Sequence, residues 1–327
     1  MLLGKYGKGT LGRSLIVLLF LLLPIGMPKF FIFLLTEIFI LGLFGLAVNL
    51  LVGYSGMVTF GHGAFYGLGA YTVGLLMTKT GIPFAAAMFV APLTAAAFGL
   101  IIGFFCVRLT QFYFAMLTLA FGMLVWAIIY KWESFTGGDN GLVGVVLPSI
   151  LSSPQAIYYF TLGVFAVCLA IQWKIINSPF GYTMRAIREN PERVRFLGIP
   201  LTRYKLAIFV VSAGFAGISG GLYTAFTKGA FPDYASWAKS GEGLIMVLIG
   251  GMSSFIGPLI GSAVLLFLQQ IVTTFFKYWS IVLGFLLLLV VLFLPEGVMG
   301  AGVRIRFLSR PKEGENSNPG PARKEKR

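Results

Sequence analysis

The only histidine of the chain, His62, lies in a segment of small and polar residues between two apolar stretches. The segment, residues 53–71, reads GYSGMVTFGHGAFYGLGAY. Because unpartnered polar groups are costly among apolar residues, the hydroxyls and the imidazole need a role. Three roles are open for His62: packing or helix capping beside close glycines, a place on a translocation path, and acid–base chemistry. The candidate path residues are Ser55, Gly56, Thr59, His62, Gly63 and Phe65.

Metal and enzyme chemistry lack the residues that they require. One histidine cannot form a protein-only zinc site when Cys106 and Cys168 are both distant from it in sequence. Residues 7–10, GKGT, do not fit the phosphate-binding pattern GxxxxGK[ST]. Asp139 and Asp233 fall in predicted external loops, so no acid–base pair can be assigned within a span. The sequence therefore predicts no catalytic residue, no metal site and no cofactor.

A charged segment, Ser178–Lys205, is set between long apolar stretches and holds six of the 25 basic residues. Its pattern predicts a short helix over Tyr182–Arg188 and a second over Pro191–Leu197, which Gly198 ends. The sequence thus predicts a cytoplasmic loop built from two short helices.

The first of these short helices carries an apolar ridge, Met184 and Ile187, with basic residues beside it. A helix of this kind is suited to docking into a groove on a soluble partner. The alternative is an interfacial helix held by anionic lipid.

The composition is that of a membrane protein. Hydrophobic residues make up 57% of the chain and charged residues 11%, against roughly 25% charged in soluble domains. The net charge of +14 comes from basic residues at the ends of apolar spans, not from a stripe with interleaved aromatics. We interpret it as the cytoplasmic bias of Lys and Arg in a polytopic membrane protein, not as a nucleic-acid surface.

Ten apolar stretches are candidate crossings: residues 14–28, 30–52, 63–79, 84–107, 112–130, 156–174, 205–227, 242–253, 257–274 and 279–295. Pairs of glycines four residues apart predict close helix packing. These pairs are Gly63 and Gly67, Gly99 and Gly103, Gly217 and Gly221, and Gly257 and Gly261.

Loop charge predicts the orientation. Residues 1–14 carry a charge of +3, residues 174–206 carry seven positive and two negative charges, and residues 295–327 carry eight positive and four negative. By contrast, residues 131–155 sum to −1 and residues 228–242 to zero. Six crossings before the central loop and four after it place both termini in the cytoplasm. We expect a transmembrane domain over residues 1–303 and a disordered basic cytoplasmic tail over residues 304–327.

Five segments, in order, resemble a known family: residues 53–72, 135–145, 178–226, 236–265 and 278–300. They are similar to the M-type permease subunits of branched-chain amino-acid ABC importers over roughly residues 35–300. The resemblance implies an all-α polytopic membrane protein with the type II ABC importer permease fold and about ten transmembrane helices. It also implies a multi-pass protein of the inner, or plasma, membrane.

The resemblance further implies a role and partners. The chain would form the translocation path for branched-chain or related amino acids, with a related H-type permease, two ABC ATPase subunits and an extracytoplasmic binding protein. It would hydrolyse no ATP itself. Residues 178–204 would be the coupling loop that contacts an ATPase subunit, through Gly181, Arg185, Ala186, Ile187, Arg188, Glu189, Asn190 and Gly198.

Two alternatives stay open at this point. The urea and short-amide ABC permeases share the His-Gly-Ala-Phe segment, so the substrate is less well defined than the architecture. A self-contained channel or secondary carrier would need its own ion site, and the few acidic residues in the spans argue against one. An intramembrane enzyme is less favoured still.

Overall fold

The computed structural model describes residues 26–275 together with the isolated positions Phe20, Pro24, Ile281, Gly284, Gly297 and Met299. Eleven α-helices lie within these residues: α1 (Lys29–Ser55), α2 (His62–Lys79), α3 (Phe84–Cys106), α4 (Gln111–Lys131), α5 (Glu133–Thr136), α6 (Pro154–Ile176), α7 (Pro179–Glu189), α8 (Pro191–Phe196), α9 (Leu201–Thr227), α10 (Trp237–Gly250) and α11 (Gly257–Phe275). Single 3-10 turns occur at Gly138–Asn140, Ser149–Leu151 and Pro232–Ala235.

The long helices match the second to ninth predicted crossings. Of these, α1, α3, α4, α6 and α9 are long and apolar enough to cross a membrane. The first and tenth predicted crossings lie outside the described residues, apart from residues 26–28 and isolated positions, and the tail over residues 304–327 lies wholly outside them.

Helices α1 and α9, each 27 residues long, form the centre of the described fold. Three side-chain hydrogen bonds join them. Ser212 Oγ donates to the Ala47 carbonyl oxygen at 2.5 Å, and Ser219 Oγ to that of Ile40 at 2.6 Å. The Tyr223 hydroxyl donates to Glu37 Oε1 at 3.1 Å. Because residue numbers rise along α9 as they fall along α1, the two helices run antiparallel.

Small residues let the neighbouring helices approach α9 closely. The backbone of Gly69 lies against the carbonyl of Gly217, and that of Gly220 against the carbonyl of Tyr66, so a Cβ at either glycine would overlap the facing backbone. All eight glycines of the four predicted pairs likewise face another part of the chain at contact distance. The packing interpretation of these pairs is therefore confirmed.

A short β-ladder departs from the all-helical prediction. Strand β1 (Leu142–Val143) pairs antiparallel with β2 (Gly229–Ala230), joining two connections that are far apart in sequence. Two-residue strands give no periodic signal, so the sequence pattern could not predict this pairing.

Helix α10 begins earlier than predicted. The predicted crossing starts at residue 242, but the helix begins at Trp237, where Ser236 Oγ accepts a hydrogen bond from the Lys239 amide at 3.4 Å. The prediction that residues 228–242 form a loop was therefore wrong at its end. Lys239 and Glu242 lie inside the helix, where their opposite charges cancel in a count of loop charge.

Candidate functional site

Helix α2 begins inside the protein, not at its surface. Helix α1 ends at Ser55, and Gly56, with a φ of 70°, turns the chain back. His62 at the start of α2 contacts Ser212, which also binds the carbonyl of Ala47. Ala47 precedes the end of α1 by eight residues, or about 12 Å along the helix axis. Residues 57–61 therefore run back along α1 into the interior.

The first turn of α10 meets the first turn of α2. The Gly63 amide donates to Ser240 Oγ at 2.7 Å, and a Cβ at Gly67 would overlap Ala235. Two helices thus begin side by side within the described fold. Transporters commonly build substrate sites where helices are interrupted at membrane depth.

The hydrogen bonds of His62 define its tautomer. Its Nε2 lies 2.7 Å from Ser212 Oγ. The Ser212 hydroxyl uses its only hydrogen to donate a hydrogen bond to the Ala47 carbonyl. Nε2 must therefore carry a hydrogen and donate to Ser212. Nδ1 has no partner among the described residues. Phe65 and Phe209 pack edge-on against the ring, with centroids 5.4 and 5.9 Å away.

This geometry supports packing as the role of His62, because the side chain is wholly buried and hydrogen-bonded to Ser212 of α9. The other candidate path residues are enclosed in the same way. Thr59, Gly63 and Phe65 are buried, Ser55 donates to the Leu51 carbonyl at 2.7 Å, and Gly56 is half-buried. Apart from the half-buried Gly56, these residues are therefore enclosed by the chain itself in the described structure. Their place on a translocation path stays a prediction.

A cluster of ionisable and aromatic side chains lies on the other side of this junction. Lys239 Nζ and Glu242 Oε2 form an ion pair at 2.8 Å, with 12% and 21% of their side chains exposed. Lys239 Nζ also lies 5.5 Å from the ring centre of Tyr66 and 5.4 Å from that of Tyr223. Tyr223 donates to the half-buried Glu37. The cluster thus joins α1, α2, α9 and α10.

Sequence reasoning missed this cluster. Glu37 lies eight residues into α1, away from either end of that helix. Lys239 and Glu242 were placed in a loop. One signal was available: a Lys and a Glu three residues apart, after a Ser that can cap a helix. No group of three or more His, Cys, Asp or Glu side chains that could hold a metal ion occurs in the described part of the chain.

The two predicted helices of the central loop are confirmed as α7 and α8. Each begins with a capping side chain followed by proline. Ser178 Oγ accepts from the Gly181 amide at 3.4 Å, and Asn190 Oδ1 accepts from the Arg193 amide at 2.9 Å. Gly198 follows α8 with a φ of 78°, a conformation that favours glycine.

The predicted use of the apolar ridge on α7 was wrong. Met184 and Ile187 are 1% and 3% exposed, because α7 packs this side against α1, α6 and α9. A partner cannot bind side chains that the chain itself covers. The backbone of Gly181 also faces inward, against the carbonyl of Ile176.

The opposite side of the loop is accessible. Ala186, Arg188, Glu189, Asn190 and Gly198 are exposed, and Arg185 is half-buried. We call the surface formed by Ala186, Glu189, Asn190 and Gly198 the outer face of the loop.

Two arginines tie α7 to the end of α1. Arg188 Nη1 donates to the carbonyl oxygen of Gly53. The guanidinium of Arg185 donates to the Ile176 carbonyl at 3.3 Å and lies 5.2 Å from the ring centre of Tyr54. The loop is therefore anchored to the residues that precede the interior start of α2.

Comparison with known proteins agrees with this architecture. The profile of the family described as branched-chain amino acid transport system, permease component, matches residues 30–291. The chain is 30% identical over 282 residues to the high-affinity branched-chain amino acid transport system permease protein LivM of Salmonella typhimurium, covering 78% of this chain and 66% of that protein. It thus spans about two thirds of the length of that relative.

Two further relatives widen the comparison. The LivH permease of the same kind of system in Escherichia coli K12 is 26% identical over 79% of this chain and 90% of its own length. The fructose import permease protein FruG of Bifidobacterium longum is 25% identical over 70% of this chain and 72% of its own length. No solved structure matches the chain. The match over most of the sequence shows that the chain belongs to the family of permease components of branched-chain amino acid transport systems.

Proposed function

We propose that this chain is the permease subunit of an ABC importer that moves branched-chain or related amino acids into the cell. A related permease completes the path, an extracytoplasmic binding protein delivers the substrate, and two separate ATPase subunits drive the cycle. The LivM and LivH relatives support a paired permease, since both are named as permeases of such a system. Both termini are assigned to the cytoplasm.

One observation carries the coupling assignment: the outer face of the loop is free while its inner side is fixed to the chain. Ala186 is exposed, whereas Ile187 beside it is buried. A partner can bind to a surface of this kind while the apolar residues on the inner side of α7 stay buried. Arg188 passes any displacement to Gly53 and so towards the interior start of α2.

Reconstitution tests the proposal. The chain, a related permease and candidate ABC ATPase subunits from the same organism are purified together and placed in proteoliposomes with a candidate binding protein. We expect leucine uptake that requires ATP and the binding protein. Uptake that needs neither, but follows a proton or sodium gradient, would instead favour a secondary carrier, for which Glu37 offers an acidic group in a span.

The substrate is tested on the binding protein. Thermal unfolding is measured with branched-chain amino acids, urea, short amides and fructose, the last because of the FruG relative. A ligand that binds only the folded state raises the unfolding temperature. We expect stabilisation by amino acids, while stabilisation by urea or amides alone would identify the alternative permease class.

A further inference from the structure

Three ionisable side chains, Glu37 of α1 and Lys239 and Glu242 near the start of α10, belong to one cluster. Glu37 is eight residues, or about 12 Å, from the start of α1. Lys239 and Glu242 neutralise each other. Tyr223 links Glu37 to this pair, since its hydroxyl donates to Glu37 at 3.1 Å and its ring centre lies 5.4 Å from Lys239 Nζ. Charged groups within spans are expensive and mark functional sites more often than surface charges do.

Glu37 has no ion pair among the described residues, and its assigned partner is the neutral hydroxyl of Tyr223. Of the Glu and Lys side chains in the cluster, two are therefore acidic and one is basic. A cation is the ligand that would balance Glu37. The aromatic faces of Tyr66 and Tyr223 already hold one ammonium group, that of Lys239.

The hydroxyl of Tyr66 gives a second, independent indication of a ligand. Tyr66 is 0% exposed, and its hydroxyl has no hydrogen-bond partner in the described part of the chain. The ring that carries this hydroxyl lies 5.5 Å from Lys239 Nζ and 5.9 Å from the ring centre of Tyr223. A buried hydroxyl without a partner costs stability, so its presence calls for an explanation outside folding.

We propose that Glu37, Lys239 and Tyr66 bind the zwitterionic backbone of an amino acid in transit. Glu37 accepts hydrogen bonds from the α-ammonium group. Lys239 pairs with the α-carboxylate, which replaces the Glu242 carboxylate that occupies this position in the structure. The Tyr66 hydroxyl donates to the same carboxylate. This proposal rests on the proposed function and narrows it, because a neutral amide, urea or sugar offers neither charge.

A purely structural ion pair explains less. Lys239 and Glu242 are three residues apart on one helix, and such a pair stabilises a helix on its own. That role needs neither the additional carboxylate of Glu37 nor the unpaired hydroxyl of Tyr66.

The test uses the assembled transporter in proteoliposomes with ATP and saturating, leucine-loaded binding protein. The variants Glu37→Gln and Lys239→Met each remove one charge. We expect uptake to fall by about tenfold or more, while ATP hydrolysis stimulated by the loaded binding protein stays within about twofold of wild type. Glu133→Gln and Lys131→Met are matched controls, since both side chains are exposed in the described structure. They should transport normally.

Tyr66→Phe separates binding from folding. Removing a hydroxyl that has no partner should keep or raise the unfolding temperature of the complex, yet lower uptake by about threefold or more. The reversed pair, Lys239→Glu with Glu242→Lys, keeps an ion pair but moves the ammonium group. Uptake should not recover.

Several results would overturn the site. One is normal uptake by Glu37→Gln, and another is recovery of uptake in the reversed pair. A third is a variant in which stimulated ATP hydrolysis and the yield of complex fall together with uptake. Wild-type transporter that imports no amino acid with ATP would overturn the proposed function together with the site. If the wild-type transporter imports amino acids with ATP and the site variants import them equally well, only the proposed site is overturned.

Discussion

Arg188 of α7 donates a hydrogen bond to the carbonyl oxygen of Gly53, 135 residues earlier in the chain. Gly53 lies three residues before the turn at Gly56, where an added Cβ would come within 3.0 Å of Arg188 Cγ. The exposed loop and the interior junction are thus in direct contact. A hydrogen bond to a charged group contributes about 1.5–3 kcal/mol, enough to keep the two moving together.

Replacing Arg188 should therefore uncouple the transporter. In Arg188→Ala we expect an assembled complex that hydrolyses ATP but whose uptake per ATP falls by about tenfold, because loop movement no longer reaches Gly53. The measurement is uptake and hydrolysis in the same proteoliposomes. Arg195→Ala is the matched control, since it removes the same charge from an exposed position on α8. Equal effects of the two changes would show that only the loop charge matters.

Ala186→Glu tests whether the outer face contacts an ATPase subunit. The change adds bulk and a carboxylate to a contact that must exclude water, at a cost of a few kcal/mol. We expect the permease pair to survive purification without its ATPase subunits and to transport nothing. Gly198→Val should act in the same direction but more weakly, because a branched residue strains the positive φ. Ala186→Ser is the control. If the Ala186→Glu complex retains all its ATPase subunits, the outer face does not contact them. The alternative, an interfacial helix at the membrane surface, would then be favoured.

The contact of Gly69 with Gly217 predicts a strong packing effect. Gly69→Ala places a methyl group against the Gly217 carbonyl, and overpacking of this kind costs about 1–3 kcal/mol. Gly163 of α6 has open space around its Cα, so Gly163→Ala is a matched control. The unfolding temperature of the purified complex should fall for the first variant and not for the second. Equal unfolding temperatures for the two variants would show that α2 and α9 can move apart to accommodate the added methyl group at little cost in stability.

His62 should be replaceable by a residue that keeps a donor. His62→Asn can still donate towards Ser212, so assembly and most uptake should persist. His62→Leu leaves the Ser212 hydroxyl with one partner fewer and should lower the unfolding free energy by about 1–3 kcal/mol. Thermal unfolding and uptake are measured together. Normal assembly with strongly reduced uptake in His62→Asn would return His62 to the translocation path.

Cysteine labelling checks the orientation. Val146 and Phe196 are 83% and 91% exposed, whereas the native Cys106 and Cys168 are both buried. A membrane-impermeant thiol reagent should label Val146→Cys only from outside the cell and Phe196→Cys only from the cytoplasmic side. Labelling of both from one side would contradict the arrangement of six crossings before the central loop and four after it.

Short sequence motifs predicted where the two helices of the central loop begin and end. The Ser-Pro and Asn-Pro starts of α7 and α8 are visible in the sequence, as is the glycine that follows α8. The spacing of Met184 and Ile187 also predicted a shared apolar side. Spacing alone cannot say which surface covers that side, and the structure shows that it is the chain's own helices.

The ionic cluster could not be predicted in this way. Glu37 and Lys239 are separated by 202 positions and meet only because α1 packs alongside α10. The pairing of β1 with β2 depends on the same long-range packing. Even the start of α10 was obscured, because Lys239 and Glu242 cancel in a charge count.

The unbroken course of α1 has a mechanical consequence. No proline interrupts this helix between Lys29 and Ser55, and Gly53 and Glu37 lie 16 residues apart on it, or about 24 Å. A rigid rod pushed at one end shifts at the other without any change in its own hydrogen bonds. Helix α1 can therefore transmit a displacement as a rigid body, from the end where Arg188 binds Gly53 to the position of Glu37.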